Sequence, residues 1–133
     1  MDRMTTAVIC GRNHELNYSI EVMFNMREKF GTIQNALDII SQDDMPSFEA
    51  TRWFAVQMAN DAELCRREAG YDHQPMLTEQ DISLRMSPLE YEELKGAVVQ
   101  AIILGYKREL EDGDEETDIG LEELRAKKAE AGE

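Results

Sequence analysis

The sequence predicts a mostly α-helical α+β fold, with an N-terminal β-hairpin packed on a bundle of about four to five helices. Alternating apolar residues around a glycine turn predict the hairpin. Beyond residue 18, apolar positions recur every three or four residues, which is the spacing of amphipathic helices. After residue 108, acidic residues dominate and apolar residues are rare. We therefore expect one hairpin-plus-helices domain over residues 1–108 and an acidic, flexible tail with one short helical segment over residues 109–133.

The predicted hairpin covers Thr6 to Tyr18. The apolar run Ala7–Cys10 and an alternating segment around Leu16 flank Gly11–Asn13, residues that tolerate the positive φ of a tight turn. A two-stranded ribbon is marginal in water by itself. We therefore expect it to lie on helices or to pair with the edge of another chain.

Two helices are predicted after the hairpin. Ser19 is a suitable N-cap and Gly31 a suitable C-terminal stop for the first, while Thr32 caps the second, which breaks at residues 41–46. Residues at helical spacing in the first helix are Ile20, Met23, Phe24, Arg27 and Phe30. The apolar face of the second helix comprises Ile33, Ala36, Leu37 and Ile40.

A third, longer helix is predicted from Ser47 to Gly70, with Trp53 and Phe54 beside a narrow stripe of small residues that lets another helix approach closely. The stripe comprises Phe48, Thr51, Ala55, Met58, Ala62, Cys65 and Ala69. Cys10 and Cys65 are too few for a disulfide framework, so both are interpreted as small buried side chains. Residues 71–75 are a connection.

Two capping patterns open the last two helices. Thr78 with Asp81 resembles a capping box and begins a short helix that runs to Met86. Ser87-Pro88-Leu89-Glu90 combines a cap serine, a proline at the first helical position and a glutamate that reaches back. This last helix is expected to end around Gly105–Arg108. Its apolar residues, which predict a buried central element, are Leu89, Leu94, Ala97, Val98, Ala101, Ile102, Ile103 and Leu104.

The charge of the chain restricts its partners. The formal net charge is −14, divided into −8 for residues 1–106 and −6 for residues 107–133. A field of this sign repels phosphate, so we expect protein partners rather than nucleic acid or a membrane surface. No run approaches the roughly 18 apolar residues of a membrane span, and the N-terminus lacks a secretory signal. These features predict a cytoplasmic protein.

Two small groups of residues contain side chains typical of catalytic or metal sites. His14 lies near Cys10 across the predicted turn, but no third group orients such a pair, and a solvated histidine is the favoured interpretation. Asp72 and His73 supply two ligands where a zinc site needs three or four, so we expect an ordinary mobile loop there.

The acidic run from Glu111 to Asp118 resembles a calcium loop only in composition. Gly113 comes too early for the D-x-[DN]-x-[DN]-G pattern, and a solvated tail is the favoured interpretation. Glycine-rich phosphate loops, G-x-S-x-G and H-E-x-x-H are absent from the sequence. We therefore expect a non-enzymatic protein that uses neither a cofactor nor a metal.

Four large apolar residues are candidates for a partner-binding or self-association surface: Met23, Phe24, Trp53 and Phe54. Ordinary core packing is the alternative for each of them. The same alternatives apply to the helical methionines, because flexible thioethers suit both irregular cores and adaptable surfaces. These methionines are Met23, Met26, Met58, Met76 and Met86.

The order of short motifs along residues 6–106 carries a family resemblance. The motifs are Gly11-Arg12-Asn13-His14-Glu15-Leu16, Tyr18-Ser19, Glu28-Lys29-Phe30-Gly31, Trp53-Phe54-Ala55, Leu77-Thr78 and Ala101-Ile102-Ile103-Leu104-Gly105. In this order they resemble the tail assembly chaperones of long-tailed, siphovirus-like phages and related prophages.

The resemblance implies a non-enzymatic role in the bacterial host cytoplasm. Such chaperones bind the long, aggregation-prone tape measure protein, keep it soluble while tail tube protein polymerises around it, and are absent from the mature virion. A repulsive exterior and an apolar binding surface suit that task. We also expect self-association through the hairpin edge or the helical stripe. The family often has a longer, frameshifted form, for which the Lys127-Lys128 codons are a candidate slippery site.

An acidic DNA mimic that inhibits a nucleic-acid-binding enzyme is the alternative. Mimicry needs carboxylates at phosphate-like spacing along one face. Basic pairs such as Arg66-Arg67 and Lys107-Arg108 interrupt the acidic residues, which favours the chaperone interpretation.

Overall fold

The computed structural model describes the backbone of residues 5–111 and the side chains of residues 5–107. The elements are β1 (Thr5–Ile9), β2 (Arg12–Leu16), α1 (Ile20–Phe30), α2 (Ile33–Ile40), α3 (Met45–Glu68), α4 (Glu79–Arg85) and α5 (Pro88–Glu111). This confirms the predicted fold class, a hairpin followed by helices. The predicted tail lies beyond the described residues from residue 112 onward, and with it nearly all of the acidic run.

The hairpin forms one residue away from its predicted turn. β1 and β2 pair antiparallel from Thr5 with Leu16 to Ile9 with Arg12. The loop is therefore Cys10-Gly11, with φ of 54° and 82°, and the predicted turn Gly11–Asn13 is wrong because Arg12 and Asn13 belong to β2. Two consecutive positive φ values match the right-handed twist of paired strands, which explains why the chain turns there.

The local signals for α1 and α2 are confirmed. The Ser19 hydroxyl accepts a hydrogen bond from the Val22 amide at 3.2 Å, and Thr32 accepts from the Asn35 amide at 3.0 Å. Gly31 closes α1 at a φ of 90°. The predicted face of α2 is buried throughout: Ile33, Ala36, Leu37 and Ile40.

The third helix begins two residues before the predicted Ser47. Asp44 is its N-cap and accepts a hydrogen bond from the Ser47 amide at 3.0 Å, while Pro46 occupies the first turn. The Ser47 hydroxyl instead donates to the Ile40 carbonyl at 2.7 Å. Ser47 therefore satisfies an orphan carbonyl at the end of α2, which leaves Asp44 as the cap of α3.

The predicted stripe of α3 holds only in its first two thirds. Thr51, Ala55, Met58 and Ala62 are buried, but Cys65 and Ala69 are exposed. The prediction that both cysteines are buried is wrong, since Cys65 is exposed and Cys10 is half-buried. Near its C-terminal end the helix buries Glu63 instead of Cys65.

Both capping boxes of the last two helices are confirmed. Thr78 and Asp81 exchange hydrogen bonds of 3.0 and 3.1 Å, and Ser87 and Glu90 exchange two of 3.2 Å. The predicted end of α5 at Gly105–Arg108 is wrong, because the helix continues to Glu111. Leu89, predicted as apolar core, is 70% exposed, whereas the buried residues of α5 are Leu94, Val98, Ala101, Ile102 and Tyr106.

Gly105 lies inside α5 because the helix passes close to Tyr18 there. A Cβ atom at residue 105 would lie 2.8 Å from Cδ2 and 3.1 Å from the backbone oxygen of Tyr18. Tyr18 and Tyr106 pack with ring centroids 5.4 Å apart, and their hydroxyls lie 3.2 Å apart. This glycine serves helix packing rather than helix termination.

The hairpin runs along α5 and also contacts α3. The Gly11 amide at its turn donates to the Glu90 carboxylate at 3.0 Å, so α5 begins beside the turn. At its other end α5 passes Tyr18, the residue just before the cap of α1. The core between these elements includes Ile9, Leu16, Val22, Met26, Ile40, Phe54, Met58, Ile82, Leu94, Val98 and Ile102. Within residues 5–111, no helix combines the length and apolar character needed to cross a membrane.

Candidate partner-binding surface

The four residues predicted for partner binding occupy different environments. Met23 and Phe54 belong to the core, with 8% and 0% exposure. Trp53 is partly buried against that core. Phe24 is 54% exposed. Phe24 is therefore the one member of the predicted set that presents most of its side chain to a partner without any rearrangement.

Phe24 shares an exposed face of α1 with Ile20. Ile20 is 66% exposed and lies one turn before Phe24, so the two side chains are neighbours at i,i+4 spacing. Exposed Glu21, Arg27 and Glu28 surround the pair, with the Arg27 guanidinium 5.7 Å from the Phe24 ring centroid. These five residues form what we call the α1 outer face, an apolar centre with a charged border.

The residues predicted at helical spacing in α1 differ in exposure: Met23 is buried and Phe30 half-buried, whereas Ile20, Phe24 and Arg27 are exposed. The opposite side of α1 is buried through Val22, Met23 and Met26. Val22 and Met26 have the same i,i+4 spacing as Ile20 and Phe24, so spacing alone does not show which side of α1 is buried. The sequence does not identify Ile20 as a surface residue, because isoleucine is among the residue types most often buried.

An aromatic cluster joins α1 to α3. Phe30 stacks on Phe54 with ring centroids 5.6 Å apart and meets Trp53 edge-on at 5.5 Å. Trp53 and Phe54 are themselves 4.9 Å apart. The Lys29 ammonium lies 5.9 Å from the Trp53 ring centroid, at the solvent side of the cluster. Aromatic pairs of this geometry stabilise packing beyond the burial of their area.

Trp53 and Phe24 do not form one surface. Trp53 borders an open cleft of about 520 Å³ together with Lys29, Phe30 and residues of α2 and α3. Lys29 and Phe24 are separated by about 140° around α1 at roughly 100° per residue. The structure therefore provides an exposed apolar pair on one side of α1 and an aromatic cleft on another, and we assign the candidate surface to the α1 outer face.

A second cavity, polar and about 490 Å³ in volume, lies between β2, α3 and the connection after α3. His14, Asn60, Glu63 and Gln74 are among the residues that line it. Asn60 pairs with both backbone groups of Leu77, donating to its carbonyl at 2.9 Å and accepting from its amide at 2.7 Å. This cavity was not anticipated, because the residues that line it are far apart in the sequence.

Glu63 of α3 forms a hydrogen bond with the backbone of Gln74, in the connection between α3 and α4. One carboxylate oxygen accepts from the Gln74 amide at 2.7 Å and from Arg67 at 3.0 Å, and the other accepts from Arg66 at 3.2 Å. The Gln74 hydrogen bond, with support from Arg67 and Arg66, lowers the pKa of Glu63 to about 2 despite desolvation. The carboxylate is therefore ionised at neutral pH, with both oxygens engaged as acceptors.

Acidification is expected to remove the contribution of Glu63 to stability. Because its pKa falls from 4.5 to about 2 on folding, this contribution is complete above pH 4.5 and is lost as pH falls toward 2. Glu63→Gln should therefore unfold at a lower urea concentration than wild type at pH 7, with a smaller difference at pH 3. Glu68→Gln, at the exposed end of the same helix, is the control and should match wild type at both pH values. If Glu63→Gln lowered the urea concentration of unfolding equally at pH 7 and pH 3, the lowered pKa of Glu63 would not explain its contribution to stability.

Cys10 and His14 face different neighbours. The Cys10 thiol donates to the Asp81 carbonyl at 3.4 Å, and its pKa is raised by burial and by the negative charges of Glu90 and Asp81. His14 borders the polar cavity, and burial lowers its pKa, with Arg12 acting in the same direction. Both shifts favour the neutral forms, whereas a nucleophilic pair needs a thiolate.

The connection that carries Asp72 and His73 is held at several points, in contrast to the mobile loop expected from sequence. Arg66 donates to the Asp72 carbonyl at 3.0 Å, and Arg67 donates to the Gln74 carbonyl at 2.9 Å. Over the part of the chain that the structure describes, no three His, Cys, Asp or Glu side chains are grouped so as to hold a metal ion.

Comparisons of the chain with protein-family models, with curated proteins and with solved structures find no match.

Proposed function

We propose that this chain is a non-enzymatic tail assembly chaperone of a long-tailed phage or prophage, which binds the tape measure protein and keeps it soluble in the host cytoplasm. The observation that carries the proposal is the order of the family-like motifs and their positions in the fold. Gly11 lies in the hairpin turn, Gly31 closes α1, Thr78 caps α4 and Gly105 packs against Tyr18. The motifs thus fall at positions that shape the fold.

The α1 outer face supports the client-binding part of the proposal. A tape measure protein would expose apolar helical faces, and a chaperone must offer a complementary apolar surface to a helix. Ile20 and Phe24 supply two adjacent apolar side chains at i,i+4 spacing, and Glu21, Arg27 and Glu28 border them. The net charge of −14 would keep loaded complexes apart in solution.

The acidic DNA mimic receives less support. Three arginines of α3 are paired with carboxylates: Arg66 and Arg67 with Glu63, and Arg52 with Glu79 at 3.6 Å. Such pairs reduce the negative potential along α3, whereas mimicry requires an unbroken row of phosphate-like charges.

Co-expression tests the proposed function directly. The client to be tested is a tape measure protein of a long-tailed phage, and its soluble fraction is measured with and without co-expression of this chain. We expect the client to aggregate alone and to remain soluble with the chain present. A client that is equally insoluble in both cases would contradict the proposal.

Phe24→Glu is expected to abolish solubilisation of the client without unfolding the chain. Loss of a central interface aromatic costs about 2 kcal/mol or more, which weakens binding roughly 30-fold. An exposed position tolerates the change within about 0.5 kcal/mol, so the helical circular dichroism should be unchanged. Leu64→Glu, a matched change at a 51% exposed residue of α3, should solubilise the client as wild type does. If both variants lost client solubilisation equally, the assignment of client binding to the α1 outer face would be contradicted.

A further inference from the structure

The charged residues of the α1 outer face are separated by sign. At about 100° per residue, the order around α1 is Arg27, Ile20, Phe24, Glu28 and Glu21. The apolar pair therefore lies between the arginine on one side and the two glutamates on the other. Glu21 and Glu28 differ by only about 20° around the helix and by about 10.5 Å along it, so they form one acidic flank.

These charges are available to a partner. Glu21, Arg27 and Glu28 are exposed, and no ion pair within residues 5–107 uses any of them. The glutamates have no cation at i,i+4 spacing, because the residues four positions later are Asn25 and Thr32. Three arginines of α3, in contrast, form ion pairs within the fold.

A helix packed along α1 can meet both glutamates at once. Helices in most bundles cross at about 20°, so two of them stay adjacent over two turns. A basic pair seven residues apart repeats the spacing of Glu21 and Glu28. Apolar side chains beside that basic pair then face Ile20 and Phe24. Arg27, on the opposite flank, disfavours a helix that is basic on both sides of its apolar stripe.

We infer that the occupant of the α1 outer face is an amphipathic helix that carries two basic side chains seven residues apart, on one flank of its apolar stripe, opposite Glu21 and Glu28. This inference rests on the proposed function, because it describes the client segment that the face selects. The apolar contacts supply most of the affinity, and the charge contacts supply the selectivity. An exposed ion pair strengthens binding by about two- to threefold, so two of them favour a matching segment by about four- to tenfold.

Two synthetic helical peptides of the same composition test this charge pattern on the full chain. One carries two lysines seven residues apart beside its apolar stripe, and the other carries them on the side opposite the stripe. Their net charges are equal, so a chain with a net charge of −14 attracts both equally from a distance. In fluorescence anisotropy titrations at 0.1 M NaCl, the first peptide should bind about four- to tenfold more tightly than the second.

Removal of the two carboxylates should remove this difference. Glu21→Gln with Glu28→Gln should bind the two peptides equally. The matched control, Glu92→Gln with Glu93→Gln, makes the same charge change at exposed residues of α5 and should keep the difference. Phe24→Glu should weaken the binding of the first peptide. Circular dichroism of each variant checks that the helices are retained.

The inference is overturned if neither peptide binds, if the wild-type chain binds both equally, if the Glu21→Gln, Glu28→Gln variant keeps the difference, or if Phe24→Glu binds as wild type does. A dimer of the free chain that Phe24→Glu dissociates would also overturn it, because a second copy would then be the occupant. Equal binding of both peptides that depends on Phe24 would remove this inference and leave the proposed function in place. A charge-dependent difference in a chain that does not keep a tape measure protein soluble would remove the proposed function and leave the selectivity of the face in place.

Discussion

Replacing Phe54 with alanine is expected to lower the free energy of unfolding by about 3–5 kcal/mol. Phe54 is fully buried, stacks on Phe30 at 5.6 Å and contacts Trp53 at 4.9 Å. Its removal takes a ring from the only aromatic cluster among the described residues that joins α1 to α3, and the surrounding helices cannot close the space completely. For a domain of this size, such a loss lowers the melting temperature by more than about 10 °C.

Phe24→Ala is the matched control, because it makes the same chemical change at an exposed site. We expect its unfolding free energy to stay within about 0.5 kcal/mol of wild type. Urea unfolding followed by circular dichroism measures both variants. Similar losses at the two positions would mean that Phe24 is part of the core and that the α1 outer face does not exist as described.

Gly105→Ala is expected to destabilise the chain by about 1–3 kcal/mol, even though alanine is the better helix former. The added Cβ would lie 2.8 Å from the Tyr18 ring and 3.1 Å from the Tyr18 backbone oxygen. Tyr18 is 6% exposed and its ring packs on Tyr106, so it has little room to move away. Relief of the clash requires α5 to separate from the start of α1.

Gly96→Ala, in the same helix, is expected to raise stability, whereas Gly105→Ala lowers it. Residue 96 is exposed and a Cβ there would meet no atom within 4 Å, so only helix propensity changes. Stability should rise by about 1 kcal/mol. Thermal unfolding of the two variants side by side measures the difference, and a gain for Gly105→Ala similar to that for Gly96→Ala would contradict the close approach of α5 to Tyr18.

Features that depend on a few neighbouring residues were predictable from the sequence. Ser19, Thr32, Thr78 and Ser87 each satisfy backbone amides within the next turn, and such contacts are specified by residues three positions apart. The buried face of α2 followed from its 3.6-residue period for the same reason.

Features that depend on distant parts of the chain were missed. The sequence predicts Ser47 as the start of α3, because it does not show that the Ser47 hydroxyl donates a hydrogen bond to the Ile40 carbonyl. The sequence predicts a helix end near Gly105, because it does not show that Tyr18 lies beside this glycine. Cys65 was assigned to the core by its spacing, whereas α3 extends beyond the elements that cover it.

The candidate site was predictable only in part. Phe24 was named from the sequence, but nothing local distinguishes it from Met23, which the fold buries. The sequence places Ile20 at helical spacing with Met23, and only the fold shows that Met23 is buried and Ile20 exposed. The polar cavity around Glu63 required the fold, since Gln74, Arg66 and Arg67 are brought to one carboxylate by the return of the connection along α3.

Sedimentation of the purified chain with an amphipathic segment of a phage tape measure protein, at 0.1 M and 0.5 M NaCl, tests the proposed client binding most directly. Binding through Ile20 and Phe24 predicts a complex at both salt concentrations, because apolar contacts are not screened. The absence of a complex with the client segment at both salt concentrations would contradict the account. A complex with a DNA-binding enzyme that forms at 0.1 M and dissociates at 0.5 M NaCl would favour the acidic DNA mimic instead.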